Sequence, residues 1–167
     1  RIVADINIGC GQCTFCDRGL NNHCQNRKVI GIKNHGGAFA EFVAVPERNM
    51  FPVPMSLSNL EAVLVEPVAA ALEVLEQVSS EDHSRVLVIG AGRLGILIAT
   101  VLASAGLEVD IHVRNPTRLK YLKSSLINVI SEISKCQYSL VVECSGQTSG
   151  FSSALEAVAP RGTIIMK

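Results

Sequence analysis

One segment, residues 85–113, restricts the fold of this chain more than any other. An apolar strand, RVLVI, runs into a glycine-rich turn, an apolar helix and, after Gly106, a second strand. Two parallel strands need a long crossover between them, and a helix usually supplies it. The segment therefore predicts a parallel sheet covered by helices, in an α/β domain.

The glycine-rich turn predicts the ligand of that domain. It consists of Gly90, Ala91, Gly92, Arg93, Leu94 and Gly95. In such a turn Gly90 allows the sharp bend, Gly92 lets the backbone approach a pyrophosphate, and Gly95 lets the helix pack closely on the strand. Free N–H groups at the helix N-terminus then hold the pyrophosphate. We predict that this turn, including Arg93 and Leu94, binds a dinucleotide.

The alternation of strands and helices continues to the end of the chain. Apolar strands are expected near 128–130, 138–146 and 160–167, and helices over 116–125 and 149–159. The pattern predicts a Rossmann-type, doubly wound parallel sheet, incomplete at the C-terminus. Ligands bind at the carboxyl ends of such strands. The glycine turn, the segment after Val113 and the pair Ser145-Gly146 should therefore share one edge.

A second feature is a group of four cysteines, Cys10, Cys13, Cys16 and Cys24, within fifteen residues. Short loops and neighbouring glycines let four thiolates surround one zinc ion at about 2.3 Å. Disulfides would need an oxidising compartment, and a redox role is a third alternative. His23 lies among these cysteines, but four thiolates already complete the usual shell. We predict a structural zinc with no open coordination position.

The first part of the chain differs from the second. Alternation over residues 38–45 predicts a strand, and Ser58-Asn59 offers caps for a helical stretch that is interrupted at Glu66-Pro67. A proline there fits the first turn of a new helix. The polar SSEDHS segment, 79–84, is typical of a linker. We expect a partial β domain over 1–60, a bridging helix over 61–80 and a dinucleotide-binding domain over 81–167.

Taken together, these motifs resemble the medium-chain zinc-dependent alcohol dehydrogenases, which include polyol and threonine dehydrogenases. The motifs are the four-cysteine lobe, GGAFAEFVAVPE, VEPVAAALEVL, IGAGRLG and VVECSG with PRGTIIMK. The resemblance implies a GroES-like β domain before the Rossmann domain, a structural zinc and NAD(H) or NADP(H). It also implies hydride transfer to or from a small alcohol or carbonyl compound, and it suggests a homodimer or homotetramer.

The resemblance also gives Glu66 a role. In the family a second, catalytic zinc is held by a cysteine, by a histidine and by a cysteine or glutamate beside the bridging helix, and Glu66 matches this last position. The alternative is a helix-start carboxylate favoured by the helix dipole. The first two ligands have no match in this chain, so we expect an internal fragment that is inactive alone. A non-catalytic zinc- and nucleotide-binding relative is the alternative function.

The choice of cofactor depends on the end of the second strand. NAD-binding members of this architecture place a carboxylate about 20 residues past the glycine turn. Here that position is Val113, followed by Arg114, whereas Asp110 comes three residues too early. Arg114, with Arg118, can pair with a 2′-phosphate. We therefore favour NADP(H), while the alternative is NAD(H) with Arg114 directed at adenine or solvent.

Composition excludes some partners. The chain has 15 basic and 15 acidic residues, which gives no electrostatic reason to expect nucleic acid or an anionic membrane. A membrane helix over residues 86–107 is an alternative by length, but four glycines interrupt it. No charged-then-apolar leader opens the chain, so nothing points to secretion. We expect a cytoplasmic location. His35, His83 and His112 lie in turn, linker and strand contexts, and we assign them no role.

Overall fold

The computed structural model describes residues 1–77, 85–114, 119 and 124–167, and it divides into two compact units, Arg1–Glu66 and Pro67–Lys167. The division falls in the first turn of a helix. Our three ranges, 1–60, 61–80 and 81–167, remain a prediction. No described helix is long and apolar enough to span a membrane.

The first unit is built from two small antiparallel sheets. Strand β1 (Ile2–Ala4) pairs with β4 (Met50–Pro52), and β2 (Asn7–Ile8) pairs with β3 (Lys28–Val29). Between β2 and β3 lie helix α1 (Thr14–Asp17) and a 3₁₀ turn at Asn21–His23. A second 3₁₀ turn, Glu47–Asn49, precedes β4. The four cysteines therefore occupy a lobe, residues 9–27, whose two ends are held by one pair of strands.

The strand expected over residues 38–45 is wrong. The segment has no strand geometry, and Phe39 and Phe42 are almost fully exposed. Among the described residues no strand lies alongside it. A strand needs a neighbour to pair its backbone N–H and C=O groups, so the alternating sequence alone does not form one.

Two short helical segments follow, and both begin as the sequence predicts. Ser58 caps helix α2 (Asn59–Ala62): its Oγ accepts from the Glu61 N–H, and the Glu61 carboxylate accepts from the Ser58 N–H at 2.7 Å. This reciprocal pair satisfies two backbone donors that the helix leaves free. Helix α3 (Val65–Gln77) carries Pro67 in its first turn, where a proline costs no intrahelical hydrogen bond.

The second unit contains a parallel sheet of five strands. They are β5 (Arg85–Ile89), β6 (Glu108–His112), β7 (Ile127–Ile130), β8 (Tyr138–Glu143) and β9 (Val158–Met166), in the order β7-β6-β5-β8-β9. Helix α4 (Arg93–Ser104) follows β5, and α5 (Thr148–Ala157) follows β8. Chain order reverses between β5 and β8. This doubly wound sheet confirms the predicted fold class.

Alternate residues of each strand face opposite layers. Val86 and Val88 of β5 join a core with α3 and α4, whereas Leu87 and Ile89 join a second core with α5. Both faces are covered, which is why the strands are apolar throughout.

Three further expectations concern the connections of this unit. The helix expected over 116–125 lies largely outside the described residues, and the linker expected over 79–84 lies wholly outside them. Strand β9 starts two residues earlier than expected. The pairing of β9 with β8 shifts in register between Tyr138 and Leu140. Tyr138 pairs with Val158 and Leu140 with Thr163, so β9 has more residues than β8 between these two pairs.

A buried carboxylate ties strands of the sheet together. Asp110 of β6 is 1% exposed and accepts two hydrogen bonds from Arg85, at 2.8 and 3.0 Å. It also accepts from the Tyr138 hydroxyl at 2.7 Å and from the Asn128 amide at 3.2 Å. Burial alone would raise the pKa of Asp110, but these hydrogen bonds outweigh it and lower the pKa below its ordinary value. The carboxylate is therefore stabilised as an anion.

The substitution Asp110→Asn should lower the free energy of unfolding by about 1–3 kcal/mol, less than for a fully buried pair because Arg85 is half exposed. A lowered native pKa contributes stability that is complete above the ordinary carboxyl pKa of about 4 and disappears as the pH falls through the native value. Denaturant unfolding across this pH range measures it.

Glu108→Gln is the matched control, because Glu108 is an exposed carboxylate on the same strand. It should change the free energy of unfolding by less than about 0.5 kcal/mol. An equal loss in both variants, or a difference between Asp110→Asn and wild type that persists unchanged in strongly acidic solution, would contradict this role.

Candidate functional site

The lobe of the first unit brings the four predicted cysteines together. The Sγ atoms of Cys10, Cys13, Cys16 and Cys24 all lie within 4.8 Å of one another, and all six cysteines of the chain are free thiols. The Sγ atoms of Cys13 and Cys24 are 3.8 Å apart. Four sulfurs at about 2.3 Å around one ion would be about 3.8 Å apart, whereas a disulfide would need about 2.0 Å. The donor set therefore fits a tetrahedral zinc ion.

The backbone of the lobe explains this convergence. At Gly9 a Cβ would lie 2.8 Å from Asn21 Oδ1 and 2.9 Å from Cys16 Sγ, so a larger residue would displace the thiol. Cys13 accepts at its carbonyl from the Asp17 N–H at 2.9 Å, which starts α1 and turns the chain. From the adjoining 3₁₀ turn, Arg48 donates to the Gly9 carbonyl at 2.6 Å. These contacts bring the four thiols to one point.

The four thiols differ in acidity. The Cys10 N–H donates to Cys24 Sγ at 3.4 Å, and this hydrogen bond is the main cause that lowers the pKa of Cys24 to about 7. For Cys10, a hydrogen bond from the Gln12 backbone lowers the pKa, but burial and the neighbouring thiols raise it to about 11. Cys24 is also the one fully buried member. Metal binding would release the remaining thiol protons.

His23 lies outside this group. Its side chain is exposed and packs against Phe15, with ring centroids 6.3 Å apart. Within the described residues no cluster of three or more histidines, cysteines or acidic residues includes His23. The four thiolates thus remain the donor set that the geometry offers.

The second candidate site is a cleft of about 460 Å³ at the carboxyl edge of the five-stranded sheet. It opens where β5 and β8 end and where the chain order reverses, which is the usual ligand position in such sheets. Its lining residues come from the glycine turn, from the end of β6, and from the β8–α5 connection with the start of α5. They are Ile89, Gly90, Ala91, Gly92, His112, Val113, Arg114, Cys144, Ser145, Gln147, Ser149, Gly150 and Ser153.

Two glycines of the turn are required by close contacts. Gly90 has a φ of 100°, and a Cβ there would lie 2.7 Å from the Ser145 nitrogen. A Cβ on Gly95 would collide with the Gly90 carbonyl oxygen, so this glycine lets α4 start directly above β5. A Cβ on Gly92, in contrast, would have no heavy atom within 4 Å. The open face of Gly92 lets a ligand reach the backbone.

The start of α4 supplies hydrogen-bond donors to the cleft. Gly92 is its N-cap residue, and no side chain accepts a hydrogen bond at this end. The N–H groups of the first helical turn have no intrahelical partner, and the helix dipole places partial positive charge there. The predicted residues Arg93, Leu94 and Gly95 form this turn. The arrangement fits a phosphate or pyrophosphate group.

Basic side chains lie at the end of β6. Val113 is buried, while Arg114 is exposed, and both line the cleft with His112. We assigned His112 no role from the sequence, and only its position directly before Val113 could have indicated one. Arg118 lies outside the described residues. Gly146 follows Ser145 with a φ of 63° and is exposed beside the cleft.

Glu66 stands apart from the cysteine group. It is exposed in the first turn of α3. Across the described part of the chain, no group of three or more potential ligands contains it. The described donors therefore do not fit a second zinc ion by themselves, and the ligand role of Glu66 remains a prediction.

Comparisons with known proteins match segments of both units. Residues 1–55 match the family model of the alcohol dehydrogenase GroES-like domain, and residues 85–160 match the NAD-binding domain of 3-hydroxyacyl-CoA dehydrogenase. L-threonine 3-dehydrogenase of Rhizobium johnstonii is 34% identical over 157 residues, which cover 93% of this chain and 45% of the relative. Over nearly its whole length the chain is thus similar to the medium-chain alcohol dehydrogenases. It spans about half the length of the curated relatives that it matches.

Solved structures of the family share this fold. A protein assigned as a zinc-binding dehydrogenase from Sinorhizobium meliloti 1021, bound to NADP, has a TM-score of 0.85 at 26% identity. An alcohol dehydrogenase from Escherichia coli CFT073, in complex with NADH, has a TM-score of 0.83 at 25% identity. Each alignment covers 99% of this chain and 53% of the other. Relatives of this fold therefore occur with either nicotinamide cofactor.

The sequence analysis did not identify two residues beside the cleft, Glu143 at the end of β8 and Cys144 directly after it. Glu143 is a carboxylate at the end of a buried strand, 1% exposed beside the cleft. The neighbouring Cys144 lines the cleft, and burial raises the pKa of its thiol to about 12, so it stays neutral. The available signal was the charge of Glu143 itself, because an acidic residue at the end of an otherwise apolar strand needs a specific partner.

We predict one tightly held zinc ion per chain, measured by metal analysis after dialysis. Cys24→Ser should lose it, because Cys24 is the buried thiol and a hydroxyl is a poor zinc ligand. Hydrogen exchange should then increase over residues 9–26, while the second unit keeps its protection, since the cores of the two units are separate.

Cys136→Ser is the control, because Cys136 is exposed and outside the group; its zinc content should equal that of the wild type. Unchanged zinc in Cys24→Ser, or a disulfide among the four thiols, would rule out the assignment.

Proposed function

We propose that this chain is part of a zinc-dependent oxidoreductase that transfers a hydride between NAD(P)(H) and a small alcohol or carbonyl compound. The observation that carries the proposal is the uncapped start of α4, open at Gly92, at the edge where the sheet order reverses. Few ligands other than a nucleotide pyrophosphate use such a glycine turn. The relatives and their ligands support the same cofactor class.

The chain's own residues would bind the cofactor in a defined order. The N–H groups at Gly92 and the first turn of α4 would hold the pyrophosphate, and the end of β6 would receive the adenosine ribose. The bound nicotinamide supplies the hydride-accepting carbon. The remaining half of the cofactor would then extend along the β8 side of the cleft, towards Ser145.

The zinc of the lobe has a structural role in this proposal. Four thiolate ligands leave no position for substrate. Thiolate ligands also need a reducing compartment, so we propose a cytoplasmic location. Glu66 would be a ligand of a catalytic zinc only with donors from outside the described residues.

For the cofactor we propose NADP(H). The end of β6 presents Val113 and Arg114 in place of a carboxylate, and His112 lies beside them. A guanidinium can pair with a 2′-phosphate through two hydrogen bonds, whereas a carboxylate would repel it. The alternative, NAD(H), would leave Arg114 without this role.

Binding by the 167-residue chain tests both the cofactor class and the choice. The wild type should bind NADPH weakly but more tightly than NADH. Arg114→Ala should weaken NADPH binding by about tenfold or more, because a charge-assisted hydrogen bond contributes about 1.5–3 kcal/mol. NADH binding should change little. Fluorescence titration measures both affinities.

Arg161→Ala is the control for this measurement, because Arg161 is an exposed arginine outside the cleft. It should leave both affinities unchanged. A wild-type preference for NADH, or equal losses for both cofactors in Arg114→Ala, would overturn the choice of NADP(H).

The catalytic role of Glu66 needs the longer enzyme. The present chain should oxidise no alcohol. In a polypeptide of the relatives' length, Glu66→Ala should reduce kcat much more than cofactor affinity, because the pyrophosphate site is built by other residues. Steady-state kinetics and cofactor titration measure the two effects, with Glu61→Ala as an exposed control that removes only a helix cap. Alcohol oxidation by the short chain would contradict this proposal.

A further inference from the structure

The β8 side of the cleft contains a buried acid with an unusual set of partners. Glu143 is the last residue of β8, and its side chain is 1% exposed. One carboxylate oxygen, Oε1, accepts from the Ser145 N–H at 2.7 Å and also from the Ser145 hydroxyl. Ser145 lines the cleft. The carboxylate thus reaches the cleft through Ser145.

This carboxylate has no basic partner among the described residues, since none of their ion pairs includes Glu143. Burying an unpaired carboxylate costs several kcal/mol unless hydrogen bonds compensate. Gly150, in the first turn of α5, makes the arrangement possible, because a Cβ there would collide with both Glu143 Oε1 and Ser145 Oγ. The start of α5, which Gln147 leaves without a side-chain cap, is then next to a negative charge, as the helix dipole favours.

The hydrogen bonds fix the direction of the Ser145 hydroxyl. A serine hydroxyl has one donor and two acceptor lone pairs, and an ionised carboxyl group only accepts. The donor of Ser145 goes to Glu143. One lone pair receives the Gln147 N–H at 3.2 Å. The remaining lone pair makes Ser145 an acceptor on the wall of the cleft.

The two walls of the cleft therefore differ in polarity. The α4 side offers backbone donors, which suit phosphate oxygens. The Ser145 side offers an acceptor, because both donors of Ser145, its N–H and its hydroxyl, already donate to Glu143. An acceptor suits a ribose hydroxyl, which can donate. With the pyrophosphate at Gly92 and the adenosine near Arg114, the ribose that reaches Ser145 is the one on the nicotinamide side.

We propose that Glu143 is a positioning residue that holds the Ser145 hydroxyl as an acceptor for a hydroxyl of the nicotinamide-side ribose. This inference rests on the proposed function, because it assumes that a dinucleotide occupies the cleft. In addition to the proposed 2′-phosphate contact of Arg114, Ser145 would thus recognise the second ribose of the dinucleotide at the end of β8.

Calorimetric titration of the present chain with ADP and with ADP-ribose tests the proposed function and the role of Glu143 separately. Both probes contain the adenosine pyrophosphate, and only ADP-ribose carries the second ribose. Neither has a 2′-phosphate, so Arg114 contributes alike to both. The wild type should bind ADP-ribose about three- to tenfold more tightly than ADP, the effect expected of one net hydrogen bond.

Four substitutions test the residues. Ser145→Ala should bring the ratio of the two affinities close to one, and Glu143→Leu should do the same. Glu143→Gln should keep most of the ratio, because its amide oxygen still accepts from Ser145. Ser152→Ala is the control for a lost serine on α5, since Ser152 donates to the Thr148 carbonyl and lies outside the cleft. Ser152→Ala should leave the ADP affinity within about twofold of the wild-type value.

The outcomes are distinct. A wild type that does not bind ADP overturns the proposed function and this inference with it. ADP binding with a ratio that Ser145→Ala leaves unchanged overturns the inference alone, even if Glu143→Leu fails to fold. The ratio of the two affinities could also fall equally in Glu143→Gln and Glu143→Leu and stay unchanged in Ser145→Ala. That result would show that Glu143 acts only in folding, and it would overturn the inference.

Discussion

The second unit depends on one backbone contact, the close approach of the β5 turn to the β8 turn. The two strands are neighbours in the sheet, yet α4, which follows β5, and α5, which follows β8, pack in different cores. The cleft opens at the ends of these strands, and Gly90 and Ser145, which approach each other closely, both line it. Gly95 and Gly150 allow equally close contacts at the start of each helix. At Gly90 and Gly95 backbone segments converge where a Cβ would not fit, whereas Gly150 leaves room for the Glu143 and Ser145 side chains.

Buried charge is compensated differently at two places in this sheet. Within the sheet, Asp110 is compensated by a guanidinium, a phenol and an amide from other strands, which links β5, β6, β7 and β8. At the carboxyl edge, Glu143 is compensated within one turn, through the Ser145 N–H and hydroxyl. The first arrangement fixes strands that are already paired. The second arrangement fixes Ser145 in a turn that lines the cleft, where a ligand would contact it.

The sequence allowed most of the second unit to be predicted and less of the first. Glycine spacing after an apolar strand has one well-known geometry, so the turn, α4 and the edge of the sheet followed from residues 85–113. Ser58 and Pro67 act locally and were equally clear. Residues 38–45 were not, because a strand depends on a partner that local alternation does not reveal. The roles of Asp110 and Glu143 were hidden for the same reason: their partners lie on other strands or across a turn. A charged residue inside an apolar strand shows that a partner is needed, but not which one.

The cysteine lobe begins and ends at one pair of residues, because Ile8 faces Lys28 across β2 and β3. Paired residues in antiparallel strands lie about 5 Å apart, so a tight two-residue turn could close the same pair. The lobe is thus an insertion between two paired strands. A shorter sequence could omit all four thiols without changing the register of β2 and β3, and a longer one could enlarge the lobe with equally little effect on the sheet. This modular placement gives evolution a point at which metal dependence can be gained or lost while the surrounding strands stay as they are.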